Sequence, residues 1–120
     1  RMLFLINNDR RKADASELTL DDKLSSVAAS YAKDMLENGY LSHYTLDGKS
    51  PFDRMKDAGI SVFYEGENLA TASDVDIAMN GLMNSSGHKA NILSSDFKKI
   101  GISVYDAGSS GKIFVQEFTD

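Results

Sequence analysis

Between Thr19 and Gly39 the apolar residues recur at a helical spacing that leaves few alternatives for how the chain is layered. Leu24, Val27, Ala28, Tyr31, Ala32, Met35 and Leu36 form one stripe, while Lys23, Ser26, Lys33 and Glu37 lie off it. Thr19 is suited to cap such a helix, Asp21 and Asp22 favour the positive end of its dipole, and Gly39 stops it. The reading is a core-facing helix of roughly five turns. A helix with one apolar face needs a partner layer, so the next question is what the rest of the chain supplies.

The end of the chain supplies strands. Ile100, Ile102 and Val104 alternate with Gly101, Ser103 and Tyr105, and Ile113 to Phe118 is nearly all apolar. Ala107-Gly108-Ser109-Ser110-Gly111 between them is a turn, so the two segments predict a hairpin whose second strand is central and covered on both faces. Shorter helices fit Met2 to about Lys12, Ser50 to Ala58 and Ser73 to about Asn84. Ser50-Pro51 is a strong start signal for the second of these, with Phe52 and Met55 expected to be buried. Val75, Ala78, Met79 and Leu82 form the expected buried face of the third, while Ile60 to Tyr64 has strand character running into Glu65-Gly66-Glu67-Asn68. Ala13 to Leu18 and Tyr40 to Lys49 read as loops. Helices against an antiparallel hairpin, without alternation of strand and helix, predict an α+β fold.

Composition sets limits on function. With 120 residues the chain is one domain, residues 1–120, with a single core. A net charge of −5 and scattered basic residues argue against nucleic acid as a partner. Arg10-Arg11-Lys12 reads as the solvated end of the first helix. The absence of cysteine excludes disulfides, thiolate metal sites and a cysteine nucleophile. No apolar run reaches membrane-spanning length. Arg1 to Ile6 is too short for a signal peptide and already helical, and the expectation is a piece cut from a longer exported precursor.

Candidate chemistry gathers around the two histidines. His43 lies in Leu41-Ser42-His43-Tyr44, and His88 lies in Asn84-Ser85-Ser86-Gly87-His88-Lys89-Ala90-Asn91-Ile92-Leu93, a short helix with a polar entrance. Glu65 and Glu67 fall between them. Two histidines and a glutamate can hold catalytic zinc with a fourth position left to water. The same residues can equally form a polar network that pins loops together. Ser85 and Ser86 beside His88 suggest a serine nucleophile, but capping of the His88 helix is the better reading.

Taken in order, Leu41-Ser42-His43, Gly66-Glu67-Asn68-Leu69-Ala70, Asn84 to Leu93, Ile100-Gly101-Ile102-Ser103-Val104 and Phe114-Val115-Gln116-Glu117-Phe118 resemble the CAP superfamily. This groups the cysteine-rich secretory, antigen 5 and pathogenesis-related 1 proteins, and the chain is most similar to the cysteine-poor bacterial branch of SCP-like extracellular proteins. The resemblance implies an α-β-α sandwich with a central antiparallel sheet, export to the extracellular space or cell surface, and a cleft around two histidines and two acids. In some members that cleft holds Zn2+ or another divalent cation. Carried over, the resemblance implies that His43 and His88 are the metal ligands and Glu67 the first acid and the catalytic residue. Asn68, Ser85, Glu65 and Tyr44 would line or support the cleft. The second acid is unmatched and falls near Ser85, and the tryptophan usual before it is Leu82 here.

Three functions are open on this evidence. One is an extracellular binding module whose cleft recognises a lipid, peptide, protein or other small ligand, with or without a metal. A second is a metal-assisted hydrolase using His43, His88 and Glu67. The third is a structural His/Glu network in which Glu67 keeps two buried histidines partnered.

Overall fold

The computed structural model describes residues 1–120 as a four-stranded sheet between two layers of helices, the α-β-α sandwich of the expected class. In chain order the elements are α1 (Met2–Lys12), β1 (Thr19–Leu20), α2 (Asp22–Asn38), α3 (Pro51–Asp57), β2 (Glu65–Ala72), α4 (Val75–Met83), α5 (Ser86–Leu93), β3 (Lys99–Asp106) and β4 (Lys112–Thr119). The sheet order is β1-β3-β4-β2, with β1 parallel to β3 and the other pairs antiparallel. β4 is therefore internal, as its apolarity predicts, and β2 is an edge strand.

Strand alternation sends successive side chains to opposite faces. Ile113 and Val115 of β4 meet Ala28, Tyr31, Ala32 and Met35 of α2. Phe114 and Phe118 point the other way, into a core with Met2, Ile6, Ala78, Met79, Leu82, Ile92, Phe97 and Ile100. α2 thus covers most of one face, with α3 beside it over β2, and α1, α4 and α5 share the other. The close fit of α2 on the sheet explains Gly101: a Cβ there would lie 2.2 Å from the backbone carbon of Leu24.

Several boundaries move for identifiable reasons. Thr19 belongs to β1 and does not cap α2, because the Thr19 N–H donates to Lys98 O and the Asp21 N–H to Ile100 O. Asp21 caps the helix in its place, accepting from the Leu24 N–H at 2.9 Å. Likewise Asp74, not Ser73, caps α4. Ser50 and Asp53 form the full reciprocal cap of α3. Met55 is buried there, but Phe52 is 44% exposed, and Leu36 at the end of the α2 stripe is also exposed. Residues 60–64 form no strand; Phe63 stands in solvent while the Phe63 and Tyr64 N–H groups donate to Asp120. No helix is long and apolar enough to cross a membrane.

The largest departure is Arg10. It is fully buried, not solvated. Its guanidinium donates to Ser16 O, Ile92 O, Ser94 O and Phe97 O, which ties α1 to the exit of α5 and to the loop beyond it. Helix ends leave carbonyls without partners, and Arg10 supplies several donors at one such end.

Candidate functional site

Glu67 and Glu117 stand directly opposite each other on β2 and β4. Like charges in that position repel, and burial compounds the cost. Both carboxyl side chains are almost wholly buried, so the fold needs a cation between them. Arg54 provides it from the middle of α3. Its Nη1 lies 2.7 Å from Glu67 Oε2 and 3.2 Å from Glu117 Oε2, and its Nη2 lies 3.2 Å from Glu67 Oε1. The same Nη2 donates to His43 O at 2.8 Å, which fixes the loop before α3. Behind the fork, Arg54 Cζ sits 3.4 Å from the centroid of the Tyr31 ring.

His43 completes the cluster with its Nδ1 2.8 Å from Glu67 Oε1. A carboxylate only accepts, so Nδ1 carries the proton and Nε2 of the neutral ring is left free. The His43 side chain is 48% exposed. Glu65 shares this sheet face two residues before Glu67; burial, then the Glu67 charge, raise its pKa. Tyr44 is exposed, and no hydrogen bond reaches its hydroxyl.

Burial and the neighbouring charges shift the titration of the paired groups. Burial pushes the Glu117 pKa well up, and its hydrogen bond with Glu67 and the Glu67 charge push it further, against the pull of Arg54. Glu117 Oε1 has no hydrogen-bond partner. For Arg54, burial acts to lower the pKa, but the Glu67 bond and the charges of Glu67 and Glu117 more than offset it and hold the pKa above its usual value.

The raised Glu117 pKa has a consequence for stability. A carboxyl whose pKa is raised on folding contributes most below its unfolded pKa, near 4.5, and loses that contribution as pH rises towards the folded value. We expect Glu117→Gln to remove this decline. The wild-type minus variant stability, from urea unfolding between pH 4 and pH 8 at intervals of about one unit, should fall as pH rises. A difference that stays flat would contradict the raised Glu117 pKa.

The second histidine lies elsewhere. Asn68, one residue beyond Glu67, points to the opposite sheet face, where its Nδ2 donates to Gln116 Oε1 at 3.0 Å and to His88 O at 3.1 Å. Asn91 of α5 donates to Asn68 Oδ1 and to Glu67 O. These bonds dock α5 on the edge strand, but the His88 ring bonds neither His43 nor Glu67. Its Nδ1 lies 2.9 Å from Ser85 Oγ. Ser85 does occupy the N-cap position of α5, yet its hydroxyl serves His88 and makes no capping bond. The consecutive Gly66, Glu67 and Asn68 therefore have separate tasks. A Cβ at Gly66 would lie 2.8 Å from the Phe97 ring, Glu67 holds Arg54, and Asn68 holds α5.

Tested against a divalent ion, this donor set does not fit. Nowhere do three His, Asp or Glu side chains converge in an arrangement that could hold a metal. The carboxylate that would anchor one already accepts from Arg54 and His43. Nor is Glu67 placed as a general base, since its carboxylate is buried and committed to those donors. The functional residues that sequence reading missed are Arg54, Glu117 and Tyr31. Glu117 carried a signal: a charged residue in a strand covered on both faces must have a buried partner.

A larger opening lies beside the cluster. A groove of about 770 Å³ runs between α2, the loop at residues 45–49 and α3. Val27, Tyr31, Leu46 and Ala58 are its apolar lining, and Ser26, Ser30, Asn38 and Thr45 contribute neutral polar groups. Lys23, Lys49, Asp34, Asp47 and Asp57 add charges of both signs, and Arg54 connects the groove to the buried cluster.

The profile of the Cysteine-rich secretory protein family (CAP) matches residues 3–118. YkwD of Bacillus subtilis is 35% identical over 119 residues, covering 98% of this chain and 45% of YkwD. The membrane protein YlbC of the same organism is 33% identical over 98% of this chain and 33% of its own length. The chain thus spans less than half of either relative. Among solved structures, an extracellular SCP-domain protein of Bacillus anthracis superimposes with a TM-score of 0.90 at 32% identity, over 98% of this chain and 38% of that one. An outer surface protein of Borrelia burgdorferi gives 0.92 at 29% identity, over 99% and 89%. The chain belongs to the Cysteine-rich secretory protein family, in its bacterial SCP-like branch, and has no cysteine of its own.

Proposed function

We propose that this domain is a binding module of the extracellular or cell-surface kind, and that its ligand lies in the groove between α2 and α3. The observation that carries the reading is a contrast in access. The groove offers about 770 Å³ with mixed polar and apolar lining, a size suited to a small molecule or a short segment of a larger one. The carboxylates of the Arg54 cluster are closed off behind it. In this reading the cluster is a brace. It holds α3 and the His43 loop against the sheet and so fixes one wall of the groove. The Bacillus anthracis and Borrelia burgdorferi relatives, described as extracellular and outer surface proteins, support the location.

Two experiments address this. Glycan, peptide and lipid arrays should be probed with wild type and with Ser30→Trp, which fills the groove from an exposed position on α2. Any spot bound by wild type should be lost in the variant, with its unfolding midpoint unchanged. Retained binding would move the ligand site elsewhere. A panel of peptide and ester substrates run on wild type and Glu67→Gln should give equal background rates. Turnover that Glu67→Gln abolishes would favour the hydrolase.

A further inference from the structure

Besides the separation of His88 from Glu67, the structure holds a second obstacle to a metal. A divalent ion on this site would need a Glu67 oxygen and a histidine nitrogen at roughly 2.0–2.2 Å, and Glu117 is the next carboxyl within reach of Glu67. Arg54 already stands among these groups, 2.7 Å from one carboxyl and 3.2 Å from the other. A guanidinium keeps its charge at any physiological pH. Bringing a second cation onto Glu67 would therefore set two unscreened positive charges against each other in a buried site. Arg54 has no easy exit, because His43 O holds Nη2 and the Tyr31 ring lies against its planar face.

We propose that Arg54 is the resident cation of this site, standing with its single charge where a divalent ion would stand and making this chain's His/Glu set independent of metal. The guanidinium differs from a metal in what it can support. It hydrogen-bonds both carboxyls, offers no open coordination position and activates no water. The assignment is independent of the groove, since a ligand there would bind whether or not the cluster accepts metal. It also makes Arg54 the residue that decides cation specificity. Removing its charge while keeping its bulk should leave His43, Glu67 and Glu117 facing an uncompensated space.

Zinc titration of chelator-treated protein tests this, followed by equilibrium dialysis and by the thermal midpoint, which rises with any ligand that prefers the folded state. Wild type should retain no stoichiometric zinc and show no rise. Arg54→Met should retain one equivalent with a rise in midpoint, and the double variant Arg54→Met, His43→Ala should lose both. If Arg54→Met does not fold, Arg54→Gln, which keeps a polar group, takes its place with the same expectations. One equivalent bound by wild type and lost in His43→Ala or His88→Ala would overturn the proposal. So would a failure of the Arg54 variants to gain zinc.

Discussion

Arg54→Ala is expected to destabilise the domain by about 3–5 kcal/mol, the usual cost of removing one partner from a buried ion pair. The substitution leaves Glu67 and Glu117 opposite each other with no cation between them, and it releases the carbonyl of His43. It also exposes the Tyr31 face that the guanidinium covers. His43→Ala provides the contrast. That side chain is half exposed, and its loss should cost no more than about 1 kcal/mol. Urea unfolding of the two variants measures both, and equal losses would contradict the ranking. The result bears on what Glu67 does. The expectation that Glu67 keeps two buried histidines partnered is replaced by the geometry: His43 is half exposed, His88 bonds Ser85, and the group that depends on Glu67 is Arg54.

The second large effect belongs to Arg10. Arg10→Ala removes the donor from four backbone carbonyls and leaves a cavity in the α1 layer, and a loss of about 3–5 kcal/mol is expected from unpaired buried acceptors. Burial lowers the pKa of Arg10, and no carboxylate lies against it to compensate, so its value to the fold comes from hydrogen bonds to carbonyls. Arg10→Lys should recover only part of the loss, because one ammonium cannot reach all four acceptors in the planar arrangement of a guanidinium. A change below about 1 kcal/mol on Arg10→Ala would show that water or relaxation satisfies these carbonyls.

These two residues mark the boundary between what the sequence makes legible and what it hides. Apolar periodicity identified α2 and the β3–β4 hairpin, because their patterns come directly from the faces they bury. It misplaced the start of α2, since the backbone of Thr19 is claimed by β3, some eighty residues away in the chain. Arg10 was hidden by its company. An Arg-Arg-Lys run at a helix end is what a solvated terminus also looks like, and only the folded position of the α5 exit distinguishes the two. Arg54 was hidden by distance, with partners 13 and 63 residues away and no local pattern of its own. The ordered segments around His43, Glu67 and His88 were enough to find the family. They could not show that the Glu67 and Asn68 side chains leave β2 on opposite faces, which sends one to Arg54 and the other to α5.

Glu67 is bound inward to Arg54 as a brace, and a double-mutant cycle of these two residues tests this most directly. Arg54→Met, Glu67→Gln and the double variant should be unfolded in urea at neutral pH beside wild type. The double variant should lose less than the sum of the single losses, with a coupling energy of about 2 kcal/mol or more. Single losses that add to within about 0.5 kcal/mol would show that the two side chains act independently, and the brace would be contradicted.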